Sequence, residues 1–167
     1  YNLTAIREPD QMVPRHLLDS LSLLPWVEGR LLDVGTGAGL PGIPLAIARP
    51  ELDVTLIDSA GKKVRFLSHI QRSLGLANVH PVHGRVEEQP FQHYDCICSR
   101  AFASLADFAQ ACGHLMGPET RLLAMKGRRP DQEIEQLPDA FPVESVEKLS
   151  VPGLQEDRHL VIMSHKP

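Results

Sequence analysis

The stretch from Arg30 to Gly42, Arg-Leu-Leu-Asp-Val-Gly-Thr-Gly-Ala-Gly-Leu-Pro-Gly, leaves this chain few ways to fold. It reads as a short buried strand that runs into a glycine turn and then into a helix. Leu31, Leu32 and Val34 suit a strand covered on both faces. Gly35, Gly37 and Gly39 stand at every second position and remove Cβ atoms where a ligand must come close to the backbone. The helix after the turn offers free N–H groups and the positive end of its dipole, a seat for a carboxylate or a phosphate. Nucleotide-binding chains of many kinds share this arrangement, and a tight turn with no ligand stays open as an alternative.

Two carboxylates narrow the choice. Asp58 ends the next strand-like run, Val54-Thr-Leu-Ile57, about twenty residues after the glycines, where a side chain reaches the ribose hydroxyls of a nucleotide. Asp33 stands at the mouth of the first strand. There it would repel a dinucleotide pyrophosphate but favour the ammonium and sulfonium of S-adenosylmethionine. The spacing Gly37-Ala-Gly39-Leu-Pro-Gly42 matches the dinucleotide pattern, so the acid and not the spacing points to the methyl donor. Asp33, Gly37, Gly39 and Asp58 are therefore expected in the cofactor site, with N–H groups of the turn taking the methionine carboxylate.

The remaining chain supports an α/β fold. With 167 residues, 43% hydrophobic and 23% charged, one domain over 1–167 with a substantial core is expected. An arm over residues 1–9 leads to a helix from about Val13 to Trp26, capped by Asp10, with Val13, Leu17, Leu21 and Leu24 as its apolar face. His16 and Asp19 could meet on one side of it, and a surface or capping pair is the expectation. Helices follow at Ile43 to Arg49, Ser59 to Leu74 (Val64, Leu67, Ile70 and Leu74 inward, Gly75 ending it) and from Ser104, a capping-box-like start with Asp107. Strands are expected at Asn78 to Val82, Tyr94 to Cys98 and Arg121 to Met125, with a brief helix at 131–137. Alternating runs at Pro142 to Val151 and Arg158 to Met163 should close an antiparallel edge. Alternation of strand and helix argues for a doubly wound, Rossmann-like sheet whose ligands sit at the carboxyl ends of the strands. One cleft is expected to gather Asp33, Asp58, Arg85, Arg100 and Lys126.

Other chemistries find little support. The formal charge of −4 gives no overall sign of nucleic acid, and the clusters Lys62, Lys63, Arg65, Arg72 and Lys126, Arg128, Arg129 read first as solvated faces. Cys96, Cys98 and Cys112 follow no disulfide or metal pattern, so buried reduced thiols, no metal and a cytoplasmic location are expected. No run approaches the roughly 18 apolar residues that span a bilayer, so no membrane partner is expected. The Asn/Asp-Pro-Pro-Tyr/Phe motif of amine methylation is absent, as is the Pro-Cys setting of a cytosine-C5 nucleophile.

Taken together, Tyr1-Asn-Leu-Thr4, Arg15-His-Leu-Leu-Asp-Ser20, Leu32 through Pro44, Asp58-Ser59, Lys63-Val-Arg-Phe-Leu67, Ser99-Arg-Ala-Phe102 and Lys126-Gly127 resemble the bacterial guanine-N7 methyltransferases of small-subunit (16S) ribosomal RNA, the glucose-inhibited division protein B family. Members of that family carry a further helical segment ahead of the Tyr-Asn-Leu-Thr stretch, which this sequence is expected to lack. The resemblance implies a class I methyltransferase fold, S-adenosylmethionine as donor, and a guanine of 16S ribosomal RNA, within the 30S subunit or a late precursor, as acceptor. By position it also implies that Gly35, Leu40, Val86, Glu87 and Arg100 line the cofactor. Arg100 and Lys126 are the catalytic candidates, and Arg85, Lys126 and Arg128 are the candidates for RNA contact. A small-molecule methyltransferase, a non-catalytic nucleotide-binding regulator and an NAD-dependent dehydrogenase are the rival readings.

Overall fold

In the computed structural model the described residues run from 13 to 167, without the side chains of 13 and 14. The arm over residues 1–9 and the Asp10 cap lie outside them. Seven strands form one sheet: β1 (Arg30–Val34), β2 (Asp53–Asp58), β3 (Val79–His83), β4 (Cys96–Ser99), β5 (Arg121–Lys126), β6 (Val143–Lys148) and β7 (His159–Met163). Their order is β3-β2-β1-β4-β5-β7-β6. The first five run parallel, and β7 pairs antiparallel with both β5 and β6. The alternating C-terminal segment thus forms the expected antiparallel edge, with the last strand inserted inside it.

Period-two alternation splits the core between the two faces of this sheet. On one face Leu31, Leu56 and Cys98 pack beneath α1 (Gly42–Ala48) and α2 (Gly61–Leu74), through Leu45 and Leu67. On the other Leu32, Ile57, Ile97 and Leu122 meet Leu105 and Phe108 of α3 (Leu105–Cys112). The β3–β4 connection holds a single 3-10 turn, Val86–Glu88, in place of a full helix. A short α4 (Asp131–Glu135) follows β5. Among the described residues no helix is long and apolar enough to cross a membrane.

Local signals set several boundaries. Ser104 Oγ accepts the Asp107 N–H at 3.1 Å and caps α3. Gly75, at φ +63°, ends α2 in a left-handed turn whose Leu76 N–H reaches the Gln71 carbonyl at 2.9 Å. That reversal corrects one expectation: Leu74 is exposed, and Leu76 is the side chain that returns to the core. The N-terminal helix also departs from a regular 3.6-residue pattern. It winds as a π-helix over Val13–Leu18, makes one α-turn at Asp19–Leu21 and closes in a 3-10 turn at Leu24–Trp26. The wider winding rotates Leu17 out to solvent, while Leu23 and Val27 enter the core and Asp19 and Ser20 are buried.

Candidate active site

The strand ends meet at one edge because the register aligns them: Val34 stands opposite Ile57 and Ser99, and Asp58 opposite His83. The glycine turn then folds back on itself. Gly35 and Thr36 donate to the Ile57 carbonyl, Gly37 to Asp58 Oδ2 at 2.9 Å, and Gly39 and Leu40 to the Thr36 carbonyl. Gly42 donates to Asp33 Oδ2 at 2.9 Å, and Thr36 Oγ1 donates to the same oxygen at 2.7 Å. These bonds tie the turn to β2 and to Asp33 and engage the N–H groups of Gly35, Thr36, Gly37, Gly39, Leu40 and Gly42 within the protein.

The glycines serve different purposes. Gly35 has φ +65°, and a Cβ on it would lie 2.6 Å from the Ala101 Cβ, so this glycine makes room for the loop after β4. A Cβ on Gly37 would meet nothing within 4 Å, which leaves that backbone open to an incoming group.

Asp33 is the main correction. It lies on the same face of β1 as Leu31, under the start of α1, and is 0% exposed, so it braces the turn instead of facing the cleft. Strand alternation carried that signal. Burial pushes its carboxyl up to about 7, against the hydrogen bonds from Thr36 and Gly42. Its Oδ1 has no hydrogen-bond partner among the described residues. The charge argument that used Asp33 to reject a dinucleotide therefore loses its footing.

Among the described residues two sizeable cavities open at this edge, where one cleft was expected. The first, of about 290 Å³, lies over β1 and β2 and is lined by Gly35, Ile57, Asp58, Lys63, Arg85, Val86, Glu87 and Phe102, among others. Asp58 sits in its wall, held by the N–H groups of Gly37 and Ala60, both at 2.9 Å. Ile57, Val86 and Phe102 offer an apolar slot, and two carboxylates, Asp58 and Glu87, offer acceptors. That combination fits a nucleoside with ribose hydroxyls to be held, and the volume sits at the small end of ligand sites. Gly35, Asp58, Val86 and Glu87 are thus gathered as the sequence suggested, with Arg85 at the rim. Leu40 and Arg100 do not line this cavity.

The second cavity, of about 220 Å³, lies over the ends of β4 and β5 and the start of β7, and Arg15, His16, Asp19, Arg100, Lys126, Arg158 and His159 line it. Asp19 is 5% exposed, with Arg158 Nε at 3.3 Å and Arg100 Nη1 at 3.8 Å from its oxygens. Burial pushes the Asp19 carboxyl up while the two guanidinium groups pull it down; burial, then Arg100, pushes the His16 imidazole down. The surface or capping role expected of this His–Asp pair is therefore replaced by a place in a cavity wall. Arg158 and His159 escaped the sequence reading altogether, since an arginine before an edge strand carries no local signal. For Asp19 the signal was the Arg15-His-Leu-Leu-Asp-Ser20 stretch itself.

A single loop separates the cavities. Ser99 Oγ donates to the Val34 carbonyl at 2.9 Å and accepts the Ala101 N–H at 3.0 Å, which fixes the loop's start. Arg100 then faces the second cavity, and Ala101 and Phe102 face the first. Lys126 holds the far end: its Nζ donates to the carbonyls of Phe102 and Ala103, both at 3.4 Å, and pairs with Glu133 at 2.9 Å. An ammonium has three donors, so Lys126 is fully engaged and its side chain is only 16% exposed. It positions the loop and is not a free cation for phosphate. Arg128 is exposed and lines neither cavity.

The thiols offer no nucleophile. Burial pushes Cys96 up to about 11 and Cys112 to about 12, and Cys98 is raised as well. Among the described residues no group of three or more His, Cys, Asp or Glu side chains could hold a metal ion.

The comparisons fit this geometry. The family model described as rRNA small subunit methyltransferase G (GidB) matches residues 1–161. Ribosomal RNA small subunit methyltransferase G of Escherichia fergusonii is 54% identical over 165 residues, which cover 98% of this chain and 80% of that one. The Escherichia coli protein of the same name is 53% identical over the same shares. Among solved structures, a SAM dependent methyltransferase from Aquifex aeolicus superposes with a TM-score of 0.69 over 93% of each chain at 18% identity. TrmN from Thermus thermophilus superposes with a TM-score of 0.70 at 18% identity, over 89% of this chain and 48% of its own. The low identities speak to the fold alone, and the Rossmann-like α/β methyltransferase fold is the one observed. The match that runs from residue 1 to 161, together with relatives at 54% and 53% identity over nearly the whole chain, places the chain in the rRNA small subunit methyltransferase G family.

Proposed function

We propose that this chain transfers the methyl group of S-adenosylmethionine to N7 of a guanine in 16S ribosomal RNA, in the cytoplasm and within the 30S subunit or a late precursor. The observation that carries the reading is the pair of cavities on either side of the 99–103 loop, in a chain of this family. When bound, the donor supplies an electrophilic methyl carbon on a cationic sulfur.

The chain's own residues do the rest. Asp58 accepts from the ribose hydroxyls with the oxygen lone pairs left by its two backbone bonds, and Ile57 and Val86 flank the base of the nucleoside. Glu87 adds a second carboxylate to that wall. Lys126 and Glu133 hold the dividing loop, so that the two bound groups meet in a fixed orientation, the alignment on which an uncharged lone-pair nucleophile depends. Arg85 and Arg128 remain exposed for phosphate contact. His16 and His159 border the second cavity, yet an N7 acceptor asks neither of them to remove a proton.

The test is to incubate the chain with labelled donor and either naked 16S RNA or 30S subunits, then digest to nucleosides. Label in 7-methylguanosine is the expected result. Label in a different nucleoside, or in no RNA, would overturn the reading.

A further inference from the structure

The second cavity has no role in holding the donor as assigned above, yet it contains a buried carboxylate with spare acceptor capacity. Asp19 Oδ1 has no hydrogen-bond partner among the described residues, although Arg158 Nε stands 3.3 Å away as an ion-pair partner. Its other oxygen sits 3.8 Å from Arg100, longer than a hydrogen bond. A carboxylate that is 5% exposed and not fully bonded is costly unless something arrives to donate to it. The adjacent guanidinium groups favour its ionised, acceptor-only form, against the burial that pushes the carboxyl up. The cavity, about 220 Å³, has room for a nucleobase.

The chemistry of such a site selects among bases. Guanine alone of the four carries two neighbouring donors on one edge, N1–H and the exocyclic N2–H, which the two oxygens of a carboxylate accept in parallel. Adenine and cytosine each present a donor beside an acceptor, and uracil presents one donor between two acceptors. Guanine O6, next to N1, is an acceptor that suits Arg100 beside Asp19. N7 belongs to the other ring and is left untouched by this edge. The same edge is buried when guanine is paired, so a base read here has left its helix.

We propose that the second cavity is the subsite for the acceptor guanine and that Asp19 is its specificity-determining residue, accepting N1–H and N2–H. This rests on the guanine reading under Proposed function and names the contact that enforces it.

The test couples one side chain to one base amine. RNA carrying inosine at the mapped acceptor position keeps N7, O6 and N1–H but lacks the N2 amine. With the unaltered chain, kcat/KM on the inosine substrate should fall about ten- to a hundredfold relative to guanosine, the value of a hydrogen bond to a charged group. In Asp19→Ala that guanosine-to-inosine ratio should drop to about one. Asp19→Asn, nearly isosteric, carries the same comparison should the alanine variant not fold. Calorimetry with S-adenosylmethionine verifies that the variant used is folded and keeps its donor site. An unaltered chain that treats both substrates alike, or a folded Asp19 variant that keeps the full ratio, would overturn the proposal. Absence of 7-methylguanosine with the unaltered chain would instead strike the underlying function, so the two failures are distinguishable.

Discussion

The two cavities are built on the same sheet edge by opposite means. The first is walled mainly by the carboxyl ends of parallel strands and the short segments beyond them: 34–35 at the end of β1, 57–59 at the end of β2, 84–87 after β3 and 101–102 after β4. Backbone shape makes it, and a few bonds from Asp33 and Asp58 lock that shape. The second draws on a helix ahead of the sheet, one arginine of the dividing loop, the end of β5 and an antiparallel strand. Side-chain charges make it, with Asp19, Arg100 and Arg158 at the centre. The first should be sensitive to added volume, and the second to the loss of a charged side chain.

Adding volume to the first cavity's foundation is the strongest way to break this contrast. A Cβ on Gly42 would sit 2.2 Å from Leu56 Cδ2 and 2.9 Å from Asp33 Oδ2. Gly42→Val should therefore lose about 3 kcal/mol or more in urea unfolding, or fail to fold. Gly37→Ala, whose Cβ meets nothing, should cost only the left-handed backbone penalty of about 1–2 kcal/mol. Equal losses would show that the turn is not packed as described.

Removing a carboxylate should separate the cavities by ligand. Asp58→Ala should weaken S-adenosylmethionine binding about ten- to a hundredfold, or roughly 1.5–3 kcal/mol, whereas Asp19→Ala should leave it within about twofold. Calorimetry on both folded variants checks this. Comparable losses would mean that the cavities do not divide donor from acceptor.

Asp33 supplies a smaller, pH-dependent effect. Its carboxyl is raised in the fold to about 7 from the ordinary 3.8, so between those limits the folded state binds the proton more tightly than the unfolded chain does. The stability it contributes is fully present below about pH 4 and is lost as pH rises towards 7, at no more than about 1.4 kcal/mol per pH unit. Asp33→Asn, which cannot titrate, should show a flatter stability profile across that window in urea melts at pH 5 and pH 7.5. A variant with the parent's slope would contradict the buried, protonatable Asp33.

The smallest expected effect concerns salt. Arg128→Ala should lower the salt slope of RNA binding by about one counterion. Lys126→Ala should leave that slope unchanged and reduce methyl transfer instead, because it frees the carbonyls of Phe102 and Ala103. A Lys126 variant that loses a unit of slope would return that ammonium to the phosphate backbone.

These contrasts follow what could be read in the sequence. The five parallel strands and the antiparallel pair announced themselves through apolar runs and alternation, and Gly75 and Ser104 marked helix ends by backbone and capping chemistry. The first cavity was legible because its parts are local: a glycine turn, and Asp58 at a fixed distance beyond it. Leu17 and Leu74 were misplaced because winding and chain reversal, not composition, decide which way an end residue points. Lys126 read as a free cation because Glu133 and two carbonyls of the dividing loop are brought to it only by the fold. The second cavity joins Asp19 to Arg158, 139 positions apart, and no local pattern records such a pairing.

The central claim is that the chain aligns a lone pair already present on guanine N7 with a methyl donor. Replacing the mapped acceptor guanosine by 7-deazaguanosine, which exchanges N7 for a carbon and keeps the N1–H/N2–H edge, tests it most directly. Methyl transfer should vanish in single-turnover assays while RNA affinity stays within about threefold, because no reading contact is lost. Transfer at the parent rate onto the deaza substrate would show that the methyl goes to another atom and would contradict the account.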